Sequence, residues 1–339
     1  MSDKPRALVA GFLDANRLAI VQGELDKVGV ELVVAPLNSE AELLAAAQDV
    51  DGIYECRVNI TRSVMSSLPR LRALCAMGIG YDRFDVPAAT DLGVVVINLP
   101  KVFHREVASH AIALILASVR KLMPLDKATR DGARAGTGPR RSPDIVPFHH
   151  LYGETLGLLS FGNIAREVAR MARAFELEVI ACDPYVPAEV AAQFGVRLVD
   201  IDTLFKESDF ISVHTPLSPE TSHIVNERLL RLMKPQAIFV NTSRGGVVDE
   251  AALVRALREK WIAGAGLDVT EIEPVRGDNP LIDLENVILT PHIASASDLS
   301  QRERPRWLGI EMGRVLTGKW PLNGLVNKRV QPRFPLTND

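Results

Sequence analysis

Short apolar runs alternate with amphipathic ones from the start of the chain. Ala7–Phe12 reads as a strand before a helical Arg17–Val28, and Glu31–Ala35 as a strand before a helical Glu40–Ala47. Gly52–Glu55, Leu71–Cys75 and Val94–Ile97 follow as further strands, and Asn98-Leu-Pro100 punctuates the end of the unit. Strands alternating with helices predict a parallel sheet covered on both faces. A long helix is expected from near Val102 into the 120s, kinked at Pro124. Asp131–Pro147, polar and rich in Gly, Pro and Arg, reads as surface connection.

A second alternating series begins at Thr155. Its strands are Leu156–Ser160, Glu178–Cys182, Phe210–His214, Ala237–Asn241, Ala263–Asp268 and Val287–Thr290. Six strands with intervening helices predict a doubly wound, nucleotide-binding sheet. Beyond it, a helical stretch around Trp307–Leu316, interrupted by Pro305, leads into loop-like sequence.

Composition narrows the function classes. At 339 residues two domains are the better expectation. The formal net charge is -3 and no basic block is long enough for a nucleic-acid surface, so small-molecule partners are expected. Cys56, Cys75 and Cys182 are odd in number and set in apolar runs; they read as reduced, buried thiols of a cytoplasmic protein, with no metal spacing. Arg6–Phe12 is too short for a secretory signal. The apolar run Val107–Val119 is too short to span a bilayer and reads as a buried helix.

Three strand ends carry the chemistry: Asn241-Thr-Ser-Arg-Gly-Gly246, Asp268-Val-Thr-Glu-Ile-Glu-Pro274 and Thr290-Pro-His-Ile-Ala294. Each delivers an ionisable side chain, namely Arg244, Glu273 and His292. An arginine clamps a carboxylate with two parallel hydrogen bonds. A histidine exchanges a proton near neutral pH, and a carboxylate beside it fixes its tautomer and favours its protonated form. Together they suit the addition or removal of hydride next to a carboxylate.

The segment Leu156–Ala165 lies between a strand and a helix, where a phosphate-binding turn belongs. On the G-x-G-x-x-G pattern its glycine positions hold Ser160, Gly162 and Ala165. The middle glycine lets backbone approach a pyrophosphate at the helix N-terminus. Ser160 departs from the pattern by placing a side chain in the tight turn. Cofactor contacts are expected from Ser160, Phe161, Gly162, Asn163 and Ile164. Asp183 follows the next strand, where a carboxylate accepts from adenosine ribose hydroxyls and repels a 2′-phosphate, so NAD(H) is expected over NADP(H). Taken singly, each residue is more often a loop or cap residue than a ligand. For Arg244, Glu273 and His292, joint occurrence at three successive strand ends makes the functional reading dominate.

These segments, with Gly78-Ile-Gly-Tyr-Asp-Arg-Phe-Asp85 and Glu106-Val-Ala-Ser-His-Ala111, resemble the D-isomer-specific 2-hydroxyacid dehydrogenase family over nearly the whole chain. The resemblance implies an α/β fold in two parts. One is a Rossmann doubly wound NAD-binding domain at 100–293; the other is a flavodoxin-like substrate domain, 1–99 plus 294–339, with the substrate in the cleft between them. It implies catalytic Arg244, Glu273 and His292. It places His214, Thr215, Pro216, Thr242 and Ser243 on the nicotinamide side, with Asp268 holding the carboxamide. It places the backbone N–H groups of Met77 and Gly78, together with Arg244, on the substrate carboxylate; Arg57 reads either as a contact to a second anionic group or, slightly ahead, as a solvated loop arginine. His104, His110, His149, His150 and His223 read as structural or surface residues.

The implied partners are NAD(H), a small 2-oxo or 2-hydroxy acid, and a second copy of the chain through the nucleotide domain, with Val107–Val119 or a core role for it as alternatives. Formate dehydrogenases of this family carry glutamine in place of Glu273. Phosphoglycerate dehydrogenase, glyoxylate/hydroxypyruvate reductase and a general 2-oxo-acid reductase are all compatible. A reading from another class is an NADH-sensing interaction protein with little turnover, similar to the C-terminal-binding-protein corepressors, which share the Gly153–Gly157 entry to the turn.

Overall fold

The computed structural model describes residues 4–10, 13–35, 37–137 and 148–338. The chain divides into two compact units, one running to Phe103 and resuming at Ala296, the other spanning His104–Ser295. Gly11 and Phe12 of the first expected strand, and 138–147 of the expected surface connection, lie outside the described residues.

The first unit is built on five parallel strands: β1 (Arg6–Ala10), β2 (Glu31–Ala35), β3 (Gly52–Tyr54), β4 (Ala73–Cys75) and β5 (Val95–Ile97). Their order is β2-β1-β3-β4-β5, the flavodoxin-like doubly wound order. β3, β4 and β5 are buried at every position, as strands covered on both faces must be. Helices α1 (Ala15–Asp26), α2 (Glu40–Ala46), α3 (Arg62–Ser66) and α4 (Val86–Asp91) each begin at an oxygen-bearing cap, namely Asp14, Ser39, Thr61 and Asp85. Each cap accepts a hydrogen bond from a first-turn N–H that has no partner within the helix.

The second unit carries a seven-stranded parallel sheet. Its strands are β6 (Thr155–Leu159), β7 (Glu178–Cys182), β8 (Arg197–Leu198), β9 (Phe210–Val213), β10 (Ile238–Asn241), β11 (Gly264–Leu267) and β12 (Val287–Leu289). The order is β12-β11-β10-β9-β6-β7-β8, the Rossmann pattern with one more strand at the edge. β8 is the strand absent from the sequence-based set of six; two residues are too short to show a period.

Helix α5 (His104–Val119) buries Val107, Ala108, Ala111, Ile112, Leu114, Ile115 and Val119 within this unit, against β10, β11 and helix α7 (Asn163–Ala174). Val107–Val119 is therefore a core helix and leaves little apolar face for a partner copy. α7 returns the contact with Ala165, Val168, Ala169 and Ala172, the i, i+3, i+4, i+7 stripe of a one-sided helix. The opposite face of the sheet is covered by α9 (Ile201–Glu207), α10 (Glu227–Leu230) and α11 (Glu250–Arg258), packed with Phe239 and Leu267 in one cluster. α8 (Ala188–Ala192) precedes β8.

Two proline expectations need correction. The long helix breaks at Lys121, whose φ is +47°, and α6 (Leu122–Arg134) starts there at 55° to α5. Pro124 sits in the first turn of α6, where its missing N–H has no partner to lose. α12 (Asp298–Leu316) is one continuous helix containing the buried Pro305. It opens on a capping box, in which Ser297 and Ser300 cap each other's N–H groups, and it packs along α1. A proline costs one hydrogen bond there, and tertiary packing outweighs it.

Candidate active site

In the seven-stranded sheet β6 and β9 are neighbours, so the strand order reverses between them. Ligands of open α/β sheets bind beyond the carboxyl ends of the strands at such a reversal. The turn from β6 into α7 lies there. Gly162 caps the twelve-residue α7, and a Cβ built on it would meet nothing within 4 Å. The helix N-terminus therefore faces open space, with its unpaired N–H groups and positive dipole end.

Ser160 adopts φ +73°, the left-handed conformation that glycine supplies without strain. The hydroxyl lies 2.9 Å from Thr215 Oγ1, which in turn donates to Leu159 O at 3.1 Å. Phe161 is wholly buried in the core, leaving only its backbone for a ligand. Asn163 is exposed and Ile164 half-buried. Asp183 accepts from Phe161 N–H at 2.8 Å on one oxygen and from Tyr185 N–H at 2.9 Å on the other. It thereby fixes the turn, and each oxygen keeps a lone pair.

β9 leads into His214, Thr215 and Pro216. His214 Nε2 lies 2.9 Å from Ser212 Oγ, while Nδ1 is buried without a partner. Burial pushes the imidazole down to about 3, so the ring is neutral. At the end of β10, Thr242 Oγ1 is likewise buried and unpartnered. Buried polar atoms are normally satisfied, and two orphans at adjacent strand ends fit a ligand that supplies the missing bonds. Open space at α7 together with these two groups suits a dinucleotide.

The Arg244 segment is held by Asn241, whose Oδ1 accepts from Ser243 N–H at 2.9 Å and whose Nδ2 donates to Arg244 O at 2.9 Å. Arg244 is half-buried, with Nη1 2.7 Å from Ser243 O. Gly245 follows, and a Cβ there would lie 2.0 Å from the Thr270 carbonyl carbon. Only glycine lets the Arg244 and Glu273 segments pass this closely.

Glu273 and His292 meet directly: Oε2 is 2.7 Å from Nδ1. Both side chains remain partly exposed, so the imidazole keeps Nε2 for a reactant. His292 has φ +49° and is fixed through its backbone, since its N–H donates to Asp268 O at 2.8 Å. Asp268 is buried, and its carboxylate gathers three donors from the same segment. They are the Thr290 hydroxyl at 2.6 Å, Ile293 N–H at 2.9 Å and Ala294 N–H at 2.8 Å.

Several positioning residues escape a reading along the chain. His110 Nε2 lies 3.0 Å from Thr290 Oγ1 and 3.6 Å from Asp268, so this histidine belongs to the site's support. Glu250 accepts from Glu271 N–H and Asn279 Nδ2, both at 2.9 Å, and His223 pairs with Glu271; together they steady the segment bearing Glu273. These contacts join residues distant in sequence, and no local motif announces them.

In the first unit, Arg57 is exposed and its carbonyl accepts from Arg83 Nη1 at 3.0 Å. Met77 N–H donates to Glu55 Oε2 at 3.0 Å. Gly78 holds Leu99 N–H on its carbonyl at 2.8 Å, and a Cβ on it would meet nothing within 4 Å.

Of the thiols, Cys56 and Cys75 are buried while Cys182 is half-buried, a correction to the expectation for all three. His149, Glu154 and Asp209 bring potential metal donors within 4.8 Å of one another, but Lys234 Nζ already neutralises Asp209 at 2.8 Å. No single helix among the described residues is long and apolar enough to cross a membrane.

Residues 112–294 match the family model for the NAD binding domain of D-isomer specific 2-hydroxyacid dehydrogenases. A glyoxylate reductase of Korarchaeum cryptofilum is 38% identical over 330 residues, covering 96% of this chain and 97% of that protein. A D-3-phosphoglycerate dehydrogenase of Methanocaldococcus jannaschii is 39% identical, over 87% of this chain and 55% of that one. Among solved structures, the NADPH-dependent glyoxylate/hydroxypyruvate reductase of Sinorhizobium meliloti, in complex with NADP and malonate, superposes with a TM-score of 0.85. It is 30% identical, over 98% of this chain and all of that one. An open strand-to-helix turn, a carboxylate-paired histidine and an arginine on a closely passing segment thus coincide with full-length likeness to such enzymes, and the chain belongs to the D-isomer specific 2-hydroxyacid dehydrogenase family.

Proposed function

We propose that this enzyme interconverts a small 2-oxo acid and its D-2-hydroxy acid, with NAD(H) as the preferred cofactor. The observation that carries the reading is the 2.7 Å contact between Glu273 Oε2 and His292 Nδ1, beside the segment that bears Arg244. When bound, the nicotinamide supplies or accepts the hydride at the substrate's second carbon. In the reducing direction His292 gives the carbonyl oxygen a proton from Nε2, and it takes that proton back when the alcohol is oxidised. Glu273 holds the Nδ1 proton and stabilises the imidazolium. Arg244 pairs with the substrate carboxylate and polarises the carbonyl, and the Met77–Gly78 backbone forms a second carboxylate-binding element.

Asp183 supports the cofactor preference. Both its oxygens are held by backbone N–H groups with lone pairs to spare for ribose hydroxyls, and its charge opposes a 2′-phosphate. The relative from S. meliloti is NADPH-dependent, so the preference is a property to measure in this chain. A glyoxylate- or hydroxypyruvate-sized substrate is favoured, and we place the enzyme in the cytoplasm as a homodimer through the nucleotide unit. The test is NADH and NADPH oxidation against glyoxylate, hydroxypyruvate, pyruvate and bulkier 2-oxo acids, with His292→Ala alongside. Turnover with the parent enzyme and none with His292→Ala, at unaltered NADH binding, is expected. Unchanged turnover in the variant overturns the acid–base role, and tighter binding of NADPH overturns the cofactor preference.

A further inference from the structure

We propose that Glu55 is a specificity-determining residue that favours 2-oxo acids whose only negative charge is the reacting carboxylate. The inference rests on the reading of the Met77–Gly78 backbone as a carboxylate-binding element. Glu55 follows directly on the buried β3, and its Oε2 accepts from Met77 N–H at 3.0 Å. A carboxylate of the protein itself therefore sits on one of the two N–H groups assigned to the substrate.

The neighbourhood holds that carboxylate in place. Leu99 N–H grips Gly78 O at 2.8 Å and Asn98 Nδ2 grips Ile79 O at 2.7 Å, anchoring the element from behind. Arg83 Nε stands 3.9 Å from the other Glu55 oxygen, while Arg83 Nη1 is turned to Arg57 O. Gly78 opens onto space a ligand could fill.

A substrate seated there meets a fixed negative charge beside its carboxylate. Every 2-oxo acid bears that repulsion once. A 2-oxo acid with a phosphate or second carboxylate bears it again, whereas a hydroxymethyl group can donate a hydrogen bond to Glu55. Between partly exposed groups a few ångströms apart, one such charge changes relative affinity by about tenfold. Arg57, exposed two residues further on, is the candidate for welcoming a second anion, and Glu55 opposes it.

Glu55→Gln keeps the size and the acceptor oxygen and removes the charge. In wild type, kcat/KM for hydroxypyruvate should exceed that for 3-phosphohydroxypyruvate, and Glu55→Gln should lower the ratio by about tenfold, mainly through KM. Arg83→Gln should move the ratio the other way. A ratio unchanged within about twofold in Glu55→Gln, with an unaltered melting temperature, overturns the proposal. If wild type reduces no 2-oxo acid at all, the proposed function fails and binding decides separately. Calorimetric titration with malonate and oxamate should then show Glu55→Gln gaining more affinity for the dianion than for the monoanion, and equal changes for both would overturn the role of Glu55.

Discussion

His110 Nε2 stands 3.0 Å from the Thr290 hydroxyl, which itself lies 2.6 Å from Asp268. The carboxylate can only accept, so the hydroxyl proton points to Asp268 and the Thr290 oxygen accepts from His110 Nε2–H. This chain of donors starts on α5 and ends at the segment that carries His292. Thr290→Val removes it at nearly constant volume. The buried Asp268 and the half-buried His110 each lose a partner, so unfolding in urea should show a loss of about 1–3 kcal/mol. Turnover should fall further than NADH affinity, because the histidine loosens. Wild-type kcat in a well-folded Thr290→Val would show that His292 does not need this support.

Gly245→Ala tests the close passage between the Arg244 and Glu273 segments. The added Cβ would fall on backbone atoms of Thr270, which cannot rotate away as a side chain can. Displacement of one segment, at a cost of about 1–3 kcal/mol, is the expected result. A kcat loss of at least about tenfold should accompany it, given how steeply rate depends on placement. Full activity would mean that the two segments do not act together.

The strain at Ser160 is measurable by comparing two variants. Ser160→Ala keeps the left-handed residue and loses the hydrogen bond to Thr215, so it should destabilise by about 1 kcal/mol. Ser160→Gly also loses the bond but relaxes the backbone, and it should be the more stable of the two by about 1 kcal/mol. Equal stabilities would mean that the turn carries no conformational cost.

His214 gives a pH dependence whose sign follows from burial. Its folded-state value is about 3 against an ordinary 6.5, so between these values the unfolded chain binds the extra proton. Stability from this group is complete above pH 6.5 and is lost as pH falls toward 3, by up to about 1.4 kcal/mol per unit. Urea unfolding of the cofactor-free protein at pH 7, 6 and 5 should show that slope, and His214→Asn should reduce it. Identical slopes in the two proteins would show that the imidazole is hydrated in the fold.

The parts of this molecule legible along the chain are those specified by neighbours in sequence. β2 and β7 have the limits that their apolar runs suggest, and the three segments carrying Arg244, Glu273 and His292 do follow successive strands. Helix α6 was hidden in part because it has no buried face. Its support is ion pairing along one polar surface, such as Lys127–Asp131 and Arg130–Asp126, which reads as connection until the helix is seen. Pro305 misleads for the opposite reason: a local rule predicts a break, and packing against α1 overrides it. The roles of Glu55, Glu250 and His110 depend on contacts made only after the chain has folded back on itself. Their residue types carry no local signal of such contacts.

The first unit is assembled from two stretches of chain separated by the whole of the second. α12 lies along α1, Tyr54 Oη bonds to Leu308 O at 3.1 Å, and Val326 N–H reaches Val96 O at 2.9 Å. During synthesis, a chain that has emerged only as far as Ser295 holds every strand of the seven-stranded sheet but not the helix that covers α1. The unit whose strands precede the second unit is thus completed only after it, and until then its uncovered apolar surface is the kind that nascent chains aggregate through.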